Sequence, residues 1–241
     1  MNLLNKKDFI KKYNKNIPQI ISAQFIADTD TPVSAFLKIS KNEKYSFLLE
    51  SVEGGEQRGR FSLLGSSPDL IWSVKNKKVN FKSFGFKIPE SFLLESNPLK
   101  SLKSLIKYSK IENLNEESPY PILVGYLGYP MIQHMEKINL QNTDNLDIPE
   151  ALMIRPKLVA VFDNIKDTIS IMSAAFPKNE ISANVAYHES SKKILDTIVK
   201  INSLIPKTKF SNKKLSKKEI NFKSNYTKNE YYKIIQKAKQ Y

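Results

Sequence analysis

The chain has 241 residues, no cysteine, 41% hydrophobic and 26% charged residues, and a formal net charge of +14. That length holds one large or two small domains with a real core, the absence of cysteine excludes disulfides and thiolate metal sites, and no apolar run reaches the roughly 18 residues of a membrane span. The charge comes from scattered lysines, with arginine only at 58, 60 and 155, so it reads as a solvated surface rather than the arginine forks and interleaved aromatics of a nucleic-acid binder.

The N-terminal MNLLNKKDFIKKYNKN alternates apolar and basic residues and lacks the apolar centre of a secretion signal, so a cytoplasmic location is expected. Residues 3–15 read as a short amphipathic helix with Leu4, Phe9 and Ile10 on one side. Strand-like runs follow at 33–39 (VSAFLKI), 45–52 (YSFLLESV), 60–65 (RFSLLG), 69–74 (DLIWSV) and 79–84 (VNFKSF), with Asn76-Lys77-Lys78 as a turn. In 98–110, Leu99, Leu102, Leu105 and Ile106 make a helical stripe behind Pro98, which suits a first turn. Strands resume at 121–129 (PILVGYLGY), 157–164 and 168–175, the last two joined as a hairpin over 164–167.

A longer helix spans about 183–205, with Ile194, Ile198, Ile201 and Ile205 facing a core. The lysine- and serine-rich stretch 206–225 reads as a linker. Thr227 and Glu230 then fit a capping box, and Tyr231, Ile234, Ile235 and Ala238 form a stripe. No Gly or Pro ends this helix before Tyr241, which leads to the expectation of a chain cut short of its next domain. Strands, helices and strands again predict an α+β fold with largely antiparallel sheets and helices packed on one side.

Catalytic patterns are missing. His134 and His188 are far apart, each without a metal-ligand neighbour three or four residues on. There is no phosphate loop, dinucleotide fingerprint, nucleophile elbow or HExxH. Two glycine-bearing segments stand out. In 120–130, glycines interrupt an aromatic strand, as at a bulge or bend in the core. In 48–62 (LLESVEGGEQRGRFS), Glu50 and Ser51 end an apolar strand, where a carboxylate and a hydroxyl can meet a ligand amine and backbone groups a ligand carboxylate. Gly54 and Gly55 permit close approach. A charged hairpin, with Arg58 and Arg60 paired to Glu53 or Glu56, is the reading that composition alone favours.

The segments LLESVEGGEQRGRFSLLG (48–65), VGYLGYPMIQHMEKI (124–138) and PEALMIRPKLVAVFDNIKDTISIM (149–172) resemble the N-terminal region of anthranilate synthase component I, and TPVSAFLKI (31–39) is similar to that family's N-terminal strand. Residues 224–241 look like the helix that opens the family's chorismate-binding catalytic domain. The resemblance implies a regulatory domain over 1–205, a linker over 206–225 and the first helix of the catalytic domain over 226–241. It implies a Mg²⁺-dependent lyase that turns chorismate and ammonia into anthranilate and pyruvate for tryptophan synthesis, with a glutamine amidotransferase subunit supplying the ammonia. The Mg²⁺ ligands and catalytic residues belong to the C-terminal domain, so none is expected in this chain and the chain alone is expected to be inactive. The feedback inhibitor L-tryptophan binds between the domains; the match carries one contact to Ser51, with Glu50 and Leu49 beside it, and leaves Arg60 a structural ion pair. A fragment of the sister enzyme, aminodeoxychorismate synthase component I, and a non-catalytic amino-acid-binding module are the alternatives.

Overall fold

The structure is a computed structural model that describes residues 5–26, 29–41, 43–52, 58–111, 119–138, 140, 147–178, 180–206 and 223–240. They fall into two compact units, Met1–Pro206 and Lys207–Tyr241. The first unit is built on one antiparallel sheet of seven strands: β1 (Gln19–Ile26), β2 (Phe47–Val52), β3 (Arg58–Lys75), β4 (Lys78–Ser83), β5 (Val124–Leu127), β6 (Ala151–Asp163) and β7 (Thr168–Ala175). Their order is β1-β7-β6-β3-β2, with β4 beside the second half of β3 and β5 beside the first half of β6. The α+β class expected from the sequence is therefore the observed one.

The two long strands, β3 and β6, run through both halves of the sheet and change register together. Pro68 lies opposite Pro156, and the ladder shifts between Pro68 and Leu70. Neither proline has an N–H to give, so the ladder is weakest where they face each other. Beside them Ser67 adopts a φ of 52°. On one side of this bend β6 alternates cleanly: Leu158, Ala160 and Phe162 enter one core, while Val159 and Val161 enter another. Covering both faces makes LVAVF an unbroken apolar run.

The first core lies under three helices, α1 (Lys6–Tyr13), α2 (Pro32–Ile39) and α5 (Ala183–Ile201), which contribute Phe9 and Tyr13, Ala35 and Ile39, and Ile194 and Ile201. The α5 stripe holds as far as Ile201; Ile205 is half exposed beyond the helix end. The second core, on the opposite face, gathers Met172, Ala174 and Phe176 around Ile111 and Tyr120. Beyond the bend a third core joins Leu70, Trp72 and Val74 to Leu105 of α4 (Pro98–Tyr108) and to Met131. Here the indole N–H of the fully buried Trp72 donates to Ser101 Oγ at 3.0 Å, which satisfies its only polar atom.

Several elements differ from the sequence reading, and 60–65 and 69–74, expected as two strands, are parts of the single strand β3. Residues 33–39 form α2, not a strand. The Thr31 hydroxyl accepts the Ser34 amide at 3.1 Å, Ser34 Oγ accepts the Thr31 amide at 3.0 Å, and Pro32 occupies the first turn. That reciprocal cap, with burial at Pro32, Ala35 and Ile39, outweighs the strand preference of Val33 and Ile39. In 121–129 only Val124–Leu127 is strand; Pro130 ends it and Tyr129–His134 turns as a 3-10 helix. Residues 19–26, read as no element, form edge strand β1, with Gln19, Ile21 and Ala23 buried in strict alternation. A short helix α3 (Glu90–Leu93) also went unpredicted.

The turn at 76–78 is as expected: Asn76 and Lys77 both have positive φ, 51° and 61°, the geometry that suits a two-residue hairpin. Leu4 and most of the 206–225 stretch lie outside the described residues. In the second unit α6 (Lys228–Ala238) begins with the expected capping box of Thr227 and Glu230, whose carboxylate accepts the Thr227 amide at 2.8 Å. Lys239 closes it, its N–H donating to the Ile235 carbonyl at 3.1 Å. None of its residues is buried, and Tyr231, Ile234 and Ile235 are exposed. Among the described residues no helix is long and apolar enough to cross a membrane.

Candidate functional site

The edge formed by β2 contains the residues singled out by sequence. Phe47 seats the strand: it lies opposite Gly65, where a Cβ would come within 2.6 Å of its ring and 2.9 Å of the Leu158 carbonyl oxygen. Glycine at 65 thus opens the space that the Phe47 ring fills. Leu48 packs against the first core and Phe47 against the second. Leu49 pairs with Leu63 and Glu50 with the buried Ser62, yet Leu49 and Glu50 are themselves exposed. The register then shifts between Glu50, opposite Ser62, and Val52, opposite Arg58, so Ser51 alone stands against Gly59, Arg60 and Phe61 and the extra residues belong to β3. Bulges at a sheet edge re-aim side chains and end pairing.

Because β2 is the last strand on this side, its outer backbone groups have no ladder partner among the described residues. By strand alternation Leu49 lies on the face of Phe47 and Glu50 on the face of Leu48, so the edge offers a small ligand backbone N–H and C=O groups with an apolar contact on one face and an anion on the other. For Ser51 the structure describes the backbone within β2; its side chain and residues 53–57, including the Glu53 and Glu56 partners considered for the arginines, lie outside the described residues.

Across from Ser51, at the same end of this hairpin, Arg60 has a partner that sequence did not name. Its Nη2 donates to Asp163 Oδ2 at 2.9 Å. The Asp163 carboxylate also accepts the amides of Ile165 and Lys166 at 3.1 and 3.2 Å. Burial pushes the Asp163 carboxyl up, but the Arg60 hydrogen bond and then the two amides outweigh it, leaving the group below its ordinary value. Asn164 completes the corner, its Nδ2 donating to the Gly59 carbonyl at 2.8 Å.

A second polar centre sits at the sheet bend. Arg155, 1% exposed, meets Asp69, 4% exposed, through two hydrogen bonds, Nε to Oδ1 at 2.7 Å and Nη2 to Oδ2 at 2.9 Å. Its guanidinium lies 3.9 Å from the centre of the Phe176 ring and 5.5 Å from those of Phe86 and Tyr108. A third donor reaches Ser109 Oγ at 3.3 Å. Nearby, the Tyr120 hydroxyl donates to the Pro156 carbonyl at 2.6 Å; burial, then the Asp69 charge, push that phenol far above its ordinary range. The sequence reading passed over Asp69 and Arg155. The available signal was an arginine, in a chain that otherwise uses lysine, set before a proline inside an apolar strand.

The histidines remain apart. His134 Nε2 stands 3.9 Å from Glu150 Oε2, while Glu150 Oε1 accepts the Lys77 amide at 3.0 Å; His188 lies against Lys6 and Tyr187. Among the described residues no group of three or more His, Cys, Asp or Glu is placed to hold a metal ion.

An α+β unit with one antiparallel sheet, helices α1, α2 and α5 over its first core and α4 over its third, and a β2 edge without a ladder partner among the described residues is the class of protein that this fold and site define. The chain belongs to the chorismate binding enzyme family, whose model matches residues 82–241. It is 35% identical to anthranilate synthase component 1 of Cereibacter sphaeroides, over 92% of this chain and 45% of that protein. It is 31% identical to the protein of the same name from Aquifex aeolicus, over 100% of this chain and 48% of that protein. The chain thus spans about half the length of the curated relatives it matches. The crystal structure of anthranilate synthase component I from Streptococcus pneumoniae TIGR4 aligns with a TM-score of 0.44 and 18% identity, over 76% of this chain and 37% of that one.

Proposed function

We propose that the chain is the N-terminal, regulatory part of an anthranilate synthase component I. The observation that carries this reading is its continuous likeness to proteins of that name, over 92% and 100% of its residues. The whole protein converts chorismate and ammonia into anthranilate, pyruvate and water, with Mg²⁺ held outside this chain and ammonia delivered from glutamine by an amidotransferase subunit. It acts in the cytoplasm. The present part supplies no catalytic residue and is inactive alone.

Its own contribution is half of a tryptophan feedback site at the end of β2. In this reading edge backbone groups and Ser51 meet the ligand's polar atoms and Leu49 gives the indole an apolar surface, with the Glu50 carboxylate beside them on the other face of the strand. Tryptophan acts by binding one arrangement of the whole protein more tightly than another. The free β2 edge, with Leu49 and Glu50 exposed, supports this assignment.

The test is a chimera joining this chain to the second half of the Cereibacter sphaeroides relative, assayed by anthranilate fluorescence with chorismate, ammonia and Mg²⁺. The chimera is expected to be active, and the chain alone silent. A folded chimera without product, or one releasing aminodeoxychorismate instead, overturns the activity assigned. Within the active chimera, Ser51→Ala should raise the tryptophan inhibition constant about tenfold, the loss of one good hydrogen bond to a charged ligand. The uninhibited rate should hold. An unchanged inhibition constant removes Ser51 from the site.

A further inference from the structure

A cavity of about 400 Å³ opens between the segment that links β4 to α3 and the segment that leaves β7. Its lining is mixed: Phe86, Ile88, Pro89, Tyr108 and Pro177 supply apolar surface, and Lys87, Glu90, Lys178 and Glu180 supply charge. At the rim, exposed Lys87 and Glu90 face each other at 4.0 Å, and Glu180 is exposed to solvent. The inner polar group is Lys178, half-buried, with its ammonium 4.7 Å from the centre of the Phe86 ring.

Lys178 has no carboxylate of the described residues within 4.0 Å, although Glu90 and Glu180 line the same cavity. Around Lys178 stand two cations and two anions that already pair with each other: Arg155 with Asp69, and Lys157 with Glu189 at 3.5 Å. The hydrogen bond of the Lys178 ammonium is a long one, 3.4 Å, to the Gly85 carbonyl. A half-buried cation without a counter-ion is costly, and an anion placed beside it recovers that cost. The titration of the group agrees. Burial lowers the Lys178 pKa; Asp69 opposes the change, while Lys157 and Arg155 add to it.

From this geometry we infer that the cavity is a binding site for a small monocarboxylate with an apolar body, the carboxylate pairing with Lys178 and the body resting against Phe86, Tyr108 and Pro177. The site is separate from the β2 edge and does not depend on the tryptophan reading. None of its lining residues belongs to β2 or to the hairpin corner at Asp163.

The experiment is titration of the purified chain with sodium benzoate, sodium hexanoate and the neutral benzamide at constant ionic strength, followed by chemical-shift changes and by melting temperature. Both carboxylates should saturate with dissociation constants of about 1 mM, as suits nine or so heavy atoms in an open site. Benzamide should bind about tenfold more weakly. Lys178→Met should erase the preference for benzoate over benzamide, and it should leave the unliganded melting temperature equal or higher, since it removes an uncompensated charge. Lys178→Arg should keep benzoate binding within about threefold. Ser51→Ala should leave it unchanged. Equal binding of benzoate and benzamide by the parent chain, retained preference in Lys178→Met, or no saturation by either carboxylate up to about 100 mM overturns the inference.

Discussion

Asp69→Ala isolates what the buried ion pair does for the sheet. The substitution removes both carboxylate acceptors, at 2.7 and 2.9 Å, from a guanidinium that is only 1% exposed. Water cannot replace them, and what remains is one hydroxyl at 3.3 Å and the face of Phe176. Breaking a buried pair from one side costs about 3–5 kcal/mol, because the other charge stays buried without its partner. For a unit of this size about 1 kcal/mol moves the melting temperature by about 2–4 °C, so Asp69→Ala should lower it by about 6–20 °C. The double change Asp69→Leu with Arg155→Met removes both charges at similar volume and should cost far less, with stabilisation of about 1–4 kcal/mol within range. Urea unfolding followed by the fluorescence of Trp72, the only tryptophan, reads the half of the sheet beyond the bend directly. A loss below about 1 kcal/mol for the single variant, or a double variant as damaged as the single, would refute the claim that an unpaired buried charge sets the cost.

Three further outcomes follow from local geometry. Gly125→Ala puts a Cβ against the Leu152 carbonyl and 2.8 Å from the Met153 Cα, both backbone, so β5 should detach or strain at a cost of about 1–3 kcal/mol, measurable by urea unfolding. Thr31→Ala deletes the reciprocal cap of α2 and should cost about 1 kcal/mol by the same assay, while Thr31→Ser should restore most of it. The Asp163 carboxyl has a lowered folded pKa, so its stabilisation is fully present above the unfolded value of about 3.9 and disappears as pH falls through the folded one. Asp163→Asn should therefore be less stable than the parent at pH 7, with the two unfolding curves converging below about pH 4.

Much of the fold was legible where one physical signal dominated. The TISIMSAA strand, the α5 stripe up to Ile201 and the Thr227–Glu230 cap are all local patterns, and local patterns survive in a single sequence. Residues 33–39 were misread because a short apolar run suits strand and helix alike, and only the Thr31–Ser34 cap decides between them. Strand β1 was missed because Ser22 and Gln24, on the less buried side, break the apolar run that the reading looked for. The pairs Arg60–Asp163 and Asp69–Arg155 join residues 103 and 86 positions apart, and no periodicity reports such pairings. Glu50 and Ser51 could be nominated from the sequence as a strand end, and Leu49 from the resemblance alone; that Leu49 and Glu50 lie on the edge of the sheet follows from strand order.

The layout of the sheet explains why ligand-binding readings gather at its margins. Strand β6 is hydrogen-bonded along both edges and largely buried on both faces, and the two charged groups at its centre, Arg155 and Lys157, are already paired with Asp69 and Glu189. What remains accessible is the β2 edge and the cavity behind β4. The two differ in how far family membership bears on them. The family match begins at residue 82 and includes the cavity walls, but it leaves Leu49, Glu50 and Ser51 outside. The β2 reading thus depends on likeness to the longer relatives, not on membership of the family. It also makes a sharper physical demand on the strand. Leu49 and Glu50 are exposed, so changing them should alter ligand recognition at little cost in stability, whereas Phe47 and Leu48 hold the edge against two cores and cannot change without moving it.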